Sequence, residues 1–239
     1  MDKTYVIGDI HGCHDALYKL LDQVNPEPDQ DTLVFLGDYI DRGKQSCQVI
    51  DLMLDIEQIF PRCITLMGNH EHMFLDFIKG RRHDSYLKMG GHATLESYGL
   101  AIPEKGEDIR EQIPERHRIF LENLLLLWED QHGIYVHAGI SPSRHLSQQR
   151  TYWCLWGHES FLSGNHSFPK PVVYGHTTLA EPQLDDYKIG IDTGAVYGGE
   201  LTCLCLPDRT WQSVDGPPMP GGDGVEDVVA SRKSAAARP

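Results

Sequence analysis

Three times within the first 71 residues a short apolar run ends on a glycine that is followed at once by polar donors. Residues 4–7 lead into Gly8-Asp9-Ile10-His11-Gly12, residues 32–36 into Gly37-Asp38-Tyr39-Ile40-Asp41-Arg42-Gly43, and residues 63–67 into Gly68-Asn69-His70-Glu71. Such short apolar runs suit strands buried on both faces. Between them, Leu17, Leu20, Leu21 and Val24, then Val49, Ile50, Met53 and Ile56, keep helical spacing, and Asn25-Pro26-Glu27-Pro28-Asp29 breaks the first helix. Strand–helix–strand order predicts parallel strands joined by right-handed crossovers. The three polar blocks then lie side by side at the carboxyl ends of neighbouring strands, where open α/β sheets bind ligands.

Residues 84–127 read as mainly helical, interrupted at Gly90-Gly91, Gly99, Pro103 and Pro114, and predict a small helical cap over about 80–125. Strand patterns return at 125–129, 134–138, 172–175, 188–192, 201–206 and 211–214, with Asp130-Gln131-His132-Gly133 as a hairpin turn. The expected fold class is α/β, two sheets packed face to face with helices outside, in one domain over residues 1–214. Residues 215–239 begin with a Gly/Pro-rich stretch and end in small, basic and polar residues, and are expected to be a disordered tail.

Two later apolar runs also end on donors: Val136-His137-Ala138-Gly139 and Tyr174-Gly175-His176-Thr177. Together, Asp9, His11, Asp38, Asn69, His137 and His176 offer three imidazoles, two carboxylates and an amide. That exceeds what a single catalytic metal with an open position usually draws from a protein. It suits two ions about 3.5–4 Å apart that share a carboxylate. The formal net charge of −14 agrees with this, because an anionic substrate would need bound cations to reverse the local potential. The same charge excludes non-specific nucleic-acid binding. No apolar stretch reaches membrane-spanning length, and the N-terminus lacks the layout of a signal peptide. The six cysteines form no Cys-x-x-Cys pair and read as reduced thiols. The expectation is a cytoplasmic monomer with neither nucleic-acid nor membrane partners.

The set GDIHG, GDYIDRG, GNHE, HAG and GHT resembles the phosphoprotein phosphatase family of calcineurin-like metallophosphoesterases, and among them the compact bacterial and phage serine/threonine phosphatases. The blocks span residues 5–177, and Asp192-Thr193-Gly194 and residues 197–202 also fit the bacterial pattern. The resemblance implies a four-layer αββα sandwich. It implies that Asp9 and His11 hold a first metal, that Asp38 bridges, and that Asn69, His137 and His176 complete a second. Mn²⁺ is the favoured metal, with Fe or Zn admissible. It further implies that Arg42 grips the substrate phosphate, that Asn69 lies beside it, and that His70, oriented by Asp41, protonates the leaving oxygen. A metal-bridging hydroxide would attack directly and in line, and no Cys-x5-Arg loop is present to form a phosphoenzyme.

The first expectation for substrate is phosphoserine or phosphothreonine in a protein or peptide. Dinucleoside polyphosphates are the alternative, together with small phosphate esters. Symmetric diadenosine tetraphosphatases usually carry Gln where this chain has His11. One departure stands out: relatives place a second phosphate-binding arginine in Leu-Trp-x-Arg, and Leu155-Trp156-Gly157-His158 puts His158 there. The expectation is a substrate-binding His158 with weakened phosphate contact, offset by Arg150, Arg81 or Arg82. His92, in Gly90-Gly91-His92-Ala93-Thr94-Leu95, is expected to serve a structural cap rather than to face substrate.

Overall fold

A computed structural model describes residues 2–81, 83–164 and 168–218. Two five-stranded sheets form its centre. The first is built from β1 (Thr4–Ile7), β2 (Thr32–Phe35), β3 (Cys63–Thr65), β9 (Glu200–Leu206) and β10 (Thr210–Asp215), in the order β10-β9-β1-β2-β3. The second is built from β4 (Leu127–Glu129), β5 (Ile134–Val136), β6 (Val172–Tyr174), β7 (Gln183–Leu184) and β8 (Lys188–Gly190), in the order β4-β5-β6-β8-β7. As the sequence predicts, β1, β2 and β3 are parallel, with Val6 opposite Val34 and Val34 opposite Ile64.

Period-two alternation sorts each strand's side chains between two layers. Val6, Val34 and Leu204 of the first sheet meet Tyr135, Val173 and Ile189 of the second in an inner core. Tyr5, Ile7, Leu33, Phe35, Cys203 and Cys205 point the other way, onto α1 (His14–Val24), α2 (Ser46–Ile59) and α3 (Asn69–Phe77). Behind the second sheet, Ile134, Val136, Val172 and Tyr174 pack on Cys154 of α7 (Thr151–Trp156) and Phe161 of α8 (Glu159–Leu162). The layers are therefore helix, sheet, sheet, helix. All six cysteines are free, and Cys203 and Cys205 serve packing.

The middle segment is more broken than its pattern suggests. It runs through α4 (His83–Tyr86), a π-turn Leu87–Gly91, α5 (His92–Ser97), a 3-10 turn Gly106–Gln112 and α6 (Glu115–Glu122). Tyr86, Leu95, Ile109, Phe120 and Leu121 join the same core as α2 and α3. The two-residue strand β7 is too short to show a pattern in sequence. At the C-terminus β10 runs one residue past the expected boundary, and Gly216 donates its N–H to Gly199 O at 2.7 Å. The expected tail beyond Pro218 lies outside the described residues. No helix among the described residues is long and apolar enough to cross a membrane.

Candidate active site

The carboxyl ends of β1, β2, β3, β5 and β6 converge, so both sheets contribute to one cluster. Asp38 is its hub. Its Oδ2 lies 3.3 Å from His11 Nε2 and its Oδ1 3.5 Å from His137 Nε2. His137 Nε2 is also 3.0 Å from Asn69 Oδ1 and 3.2 Å from His176 Nδ1. Asp9 joins the hub through the loop of His176, whose backbone N–H donates to both Asp9 oxygens at 3.1 and 3.0 Å. The glycine before His176 permits this approach, since a Cβ on Gly175 would collide with Asp9 Oδ1.

Two imidazoles are aimed from behind. His11 Nδ1 donates to Ile40 O at 2.8 Å and His137 Nδ1 to Leu36 O at 3.0 Å. Those bonds leave each Nε2 lone pair facing the cluster, the arrangement typical of metal-ligating histidines. Burial, then Arg42, hold His11 well below the ordinary imidazole range, and burial lowers His137 as well, so both rings favour the neutral, ligating form. Burial works to raise the Asp38 carboxyl, yet His137, His70, His11 and His176 around it keep it below the ordinary range. Asp9 behaves in the opposite way. Burial, then the charges of Asp192 and Asp38, push it well above.

Asp9, Asp38 and Asp192 are thus three buried carboxylates gathered in one place. Buried charge of one sign is costly unless paired or bound to a cation. Mixed imidazole, carboxylate and amide donors at this spacing fit divalent metals. Two groups of donors within 4.8 Å of one another meet at Asp38: His11, Asp38 and His70, and Asp38, His137 and His176.

The chemistry-bearing half sits on the same loops. His70 and Asp41 are fully buried, and His70 Nδ1 donates to Asp41 Oδ2 at 2.7 Å. His70 Nε2 is buried and has no hydrogen-bond partner among the described residues. Arg42 is half-buried, with Nη1 2.6 Å from His11 Nε2 and its guanidinium 5.5 Å above the Tyr197 ring. His11, Asp38, Asp41, Arg42 and His176 all adopt positive φ, between 45° and 73°. Left-handed backbone at non-glycine residues is strained and concentrates at functional sites.

His158 does not join this cluster. It is exposed, caps the N-terminus of α8 by accepting from Ser160 N at 3.1 Å, and stacks on Trp153 at 4.4 Å. Its Nδ1 is committed to that cap, and the expected substrate-binding role at this position rests on the motif alignment. Of the arginines considered as compensation, Arg81 pairs with Asp76 at the surface, Arg150 is exposed, and Arg82 lies outside the described residues. His92 is exposed.

Two residues left without a role in the sequence reading emerge here. Glu71 accepts four backbone N–H groups, from Asp38 and Gly68 on Oε2 and from Tyr39 and Ile40 on Oε1, and so joins the second and third polar blocks. Burial and the Asp38 charge push it up to about 8. Asp192 accepts from Thr178 Oγ1 and Gly194 N, which holds its charge near Asp9. Each lay inside a motif block, and that was the available signal.

A fold of two face-to-face mixed sheets, with donors gathered at their shared edge, defines the calcineurin-like phosphoesterases. The model of that family matches residues 3–199, and the chain belongs to it. The family uses divalent metals. Among curated proteins, the chain is 28% identical over 239 residues to the asymmetrical bis(5'-nucleosyl)-tetraphosphatase PrpE of Bacillus thuringiensis, covering 89% of this chain and 94% of that protein. It is 29% identical over 242 residues to the PrpE of Bacillus cereus strain B4264, with the same coverage. Among solved structures, a candidate diadenosine tetraphosphatase superposes with a TM-score of 0.70 at 23% identity, covering 91% of this chain and 95% of that one. A yeast serine/threonine phosphatase similar to human PP5 superposes with a TM-score of 0.63 at 17% identity, covering 93% and 82%. These structural likenesses show the fold.

Proposed function

We propose that this chain hydrolyses bis(5'-nucleosyl) tetraphosphates asymmetrically, releasing a nucleoside triphosphate and a nucleoside monophosphate. The observation that carries phosphoester hydrolysis is the convergence on Asp38 of the donor set, Arg42 and the Asp41–His70 pair. The substrate class is supported by curated relatives that align over nearly their whole length. It replaces phosphorylated protein as the first choice. His11 stands where symmetric enzymes usually carry Gln, and the curated relatives named above are of the asymmetrical kind.

In this reading Asp9, His11 and Asp38 hold one divalent ion, and Asp38, Asn69, His137 and His176 a second, with Mn²⁺ favoured. When bound, the ions supply activated water and charge neutralisation at the phosphorus. The protein's own groups do the rest. Arg42 presents a planar fork to two phosphoryl oxygens, and Tyr197 supports its guanidinium from below. His70 delivers a proton from Nε2 to the oxygen that leaves as the P–O bond breaks. Asp41 holds the far side of that ring.

The test is activity of the Mn²⁺-loaded protein on diadenosine tetraphosphate, phosphoserine and phosphotyrosine peptides and p-nitrophenyl phosphate, with nucleotide products resolved by chromatography. Equal amounts of ATP and AMP, at the highest kcat/KM of the panel, are expected. ADP as the main product, or preference for a phosphopeptide, would overturn the assignment and select the symmetric or the protein-phosphatase reading.

A further inference from the structure

The segment from Tyr86 to Thr94 folds over the Asp41–Arg42 loop and touches the Asp41 side chain twice. Tyr86 donates its hydroxyl to Asp41 Oδ1 at 2.7 Å, and Thr94 donates to the same oxygen at 2.6 Å. The Asp41 backbone N–H returns a bond to Thr94 Oγ1 at 2.9 Å and reaches Ser46 Oγ at 3.1 Å. Asp41, Ser46, His70, Tyr86 and Thr94 are all fully buried. The Tyr86 ring is wedged against Phe77 and Phe74, with centroids 4.7 and 5.6 Å away, so its hydroxyl has a fixed address.

The geometry points to Tyr86 and Thr94 as positioning residues for proton transfer: they occupy Asp41 Oδ1 so that Oδ2 alone is presented to His70 Nδ1, and they thereby aim His70 Nε2 at the leaving oxygen. A carboxylate is free to turn about its last bond, and a buried one with a single partner would share that partner between its two oxygens. Two hydroxyl donors on one oxygen remove that freedom. Each is an O–H···O⁻ bond of the short, charge-assisted kind. The inference rests on the reading above in which His70 is the acid.

Proton donation matters most when the leaving oxygen is basic, and this separates positioning from mere support of the fold. The experiment compares Tyr86→Phe, Thr94→Val, the conservative Thr94→Ser and the control His70→Asn. Each is assayed with Mn²⁺ on phenyl phosphate, a poor leaving group, and on p-nitrophenyl phosphate, a good one. For Tyr86→Phe and Thr94→Val, kcat on phenyl phosphate should fall by about tenfold or more, within the range that general acid catalysis supplies. On p-nitrophenyl phosphate it should fall by less than about threefold, with KM unchanged on both. Thr94→Ser should retain wild-type rates.

The second readout needs no turnover. In metal-free protein with ¹⁵N-labelled histidine, the His70 Nδ1–H proton should be protected from exchange in the wild type and should exchange faster in Tyr86→Phe and Thr94→Val. Equal slowing on both esters, or unchanged rates and exchange, would overturn the inference and leave a purely structural network. If His70→Asn itself shows no dependence on leaving group, the acid role of His70 falls and this inference falls with it. If His70→Asn shows that dependence and the Tyr86 and Thr94 variants do not, only the positioning role is lost.

Discussion

Gly90→Ala is a small change with two distinct costs. Gly90 sits in the π-turn Leu87–Gly91 at φ +102°, and its carbonyl accepts the Arg42 N–H at 3.2 Å. A Cβ there would lie 2.8 Å from Arg42 Cγ, 3.1 Å from Arg42 N and 3.3 Å from Arg42 Cα. The backbone conformation alone costs an alanine about 1–2 kcal/mol. Overpacking against a neighbour that cannot withdraw adds about 1–3 kcal/mol. Arg42 N is main chain on a loop already held at positive φ, so the flexible side chain gives way first and the guanidinium moves. Stability should fall by about 2–5 kcal/mol, which for a chain of this size is a drop in Tm of roughly 4–20 °C. Losing a charge-assisted contact to phosphate costs a further ~1.5–3 kcal/mol, or about ten- to a hundredfold in kcat/KM. Differential scanning fluorimetry and steady-state kinetics on p-nitrophenyl phosphate read the two costs separately. A Tm within about 2 °C of wild type, with kcat/KM within about twofold, would refute the reasoning, because the π-turn would not be bearing on Arg42.

Asp38→Ala removes the one carboxylate shared by both donor groups, so metal content by mass spectrometry should drop from two ions per chain to fewer than one, whereas retention of one tight ion would show that the two groups are independent. His158→Ala should lose a helix cap worth about 1 kcal/mol and lower Tm by about 2–4 °C, while kcat/KM stays within about twofold; a tenfold loss would restore a phosphate-binding role to this residue. His117 is buried on α6, where Tyr98 OH meets its Nδ1 at 2.8 Å and Asp51 its Nε2 at 3.1 Å. Burial lowers its pKa, so the unfolded chain binds a proton more readily than the fold does. That contribution to stability is complete above about pH 6.5 and is lost as pH falls through the lower native value. Tm should therefore decline on acidification below about pH 6.5 more steeply in the wild type than in His117→Gln.

The architecture was legible because β1, β2 and β3 are apolar on both faces and stop at glycine, which leaves little but buried parallel strands. The donors were legible for the same reason, since Asp9, His11, Asp38, Asn69, His137 and His176 each fall at a strand's carboxyl end. Other features depend on contacts no local pattern records. Tyr86 and Thr94 lie 45 and 53 positions from Asp41, and a tyrosine or threonine in a helical stretch looks the same whether or not it meets a carboxylate. The positive φ of Arg42 is imposed by surrounding structure, and an arginine does not advertise it. The Leu-Trp-x-Arg pattern sets the chain position of His158 but does not show the cap it makes. The turn at Gly157, with φ +65° and ψ −172°, leads into a capping geometry that suits a histidine bonded to Ser160.

The division of the donors between two sheets gives the site a mechanical meaning. Asp9, His11, Asp38 and Asn69 ride on the first sheet, and His137 and His176 on the second. The layers touch elsewhere through an interlock of Val6, Val34 and Leu204 with Tyr135, Val173 and Ile189. An ion held by Asp38 and His137 together would be a rivet through both plates. Its binding energy would then also be cohesion between the layers, and part of the sandwich's resistance to shear would reside in the metal. By reciprocity, metal affinity would report how well the plates are aligned, so trimming an inner-core side chain such as Val173 would be felt at the site as a weaker grip.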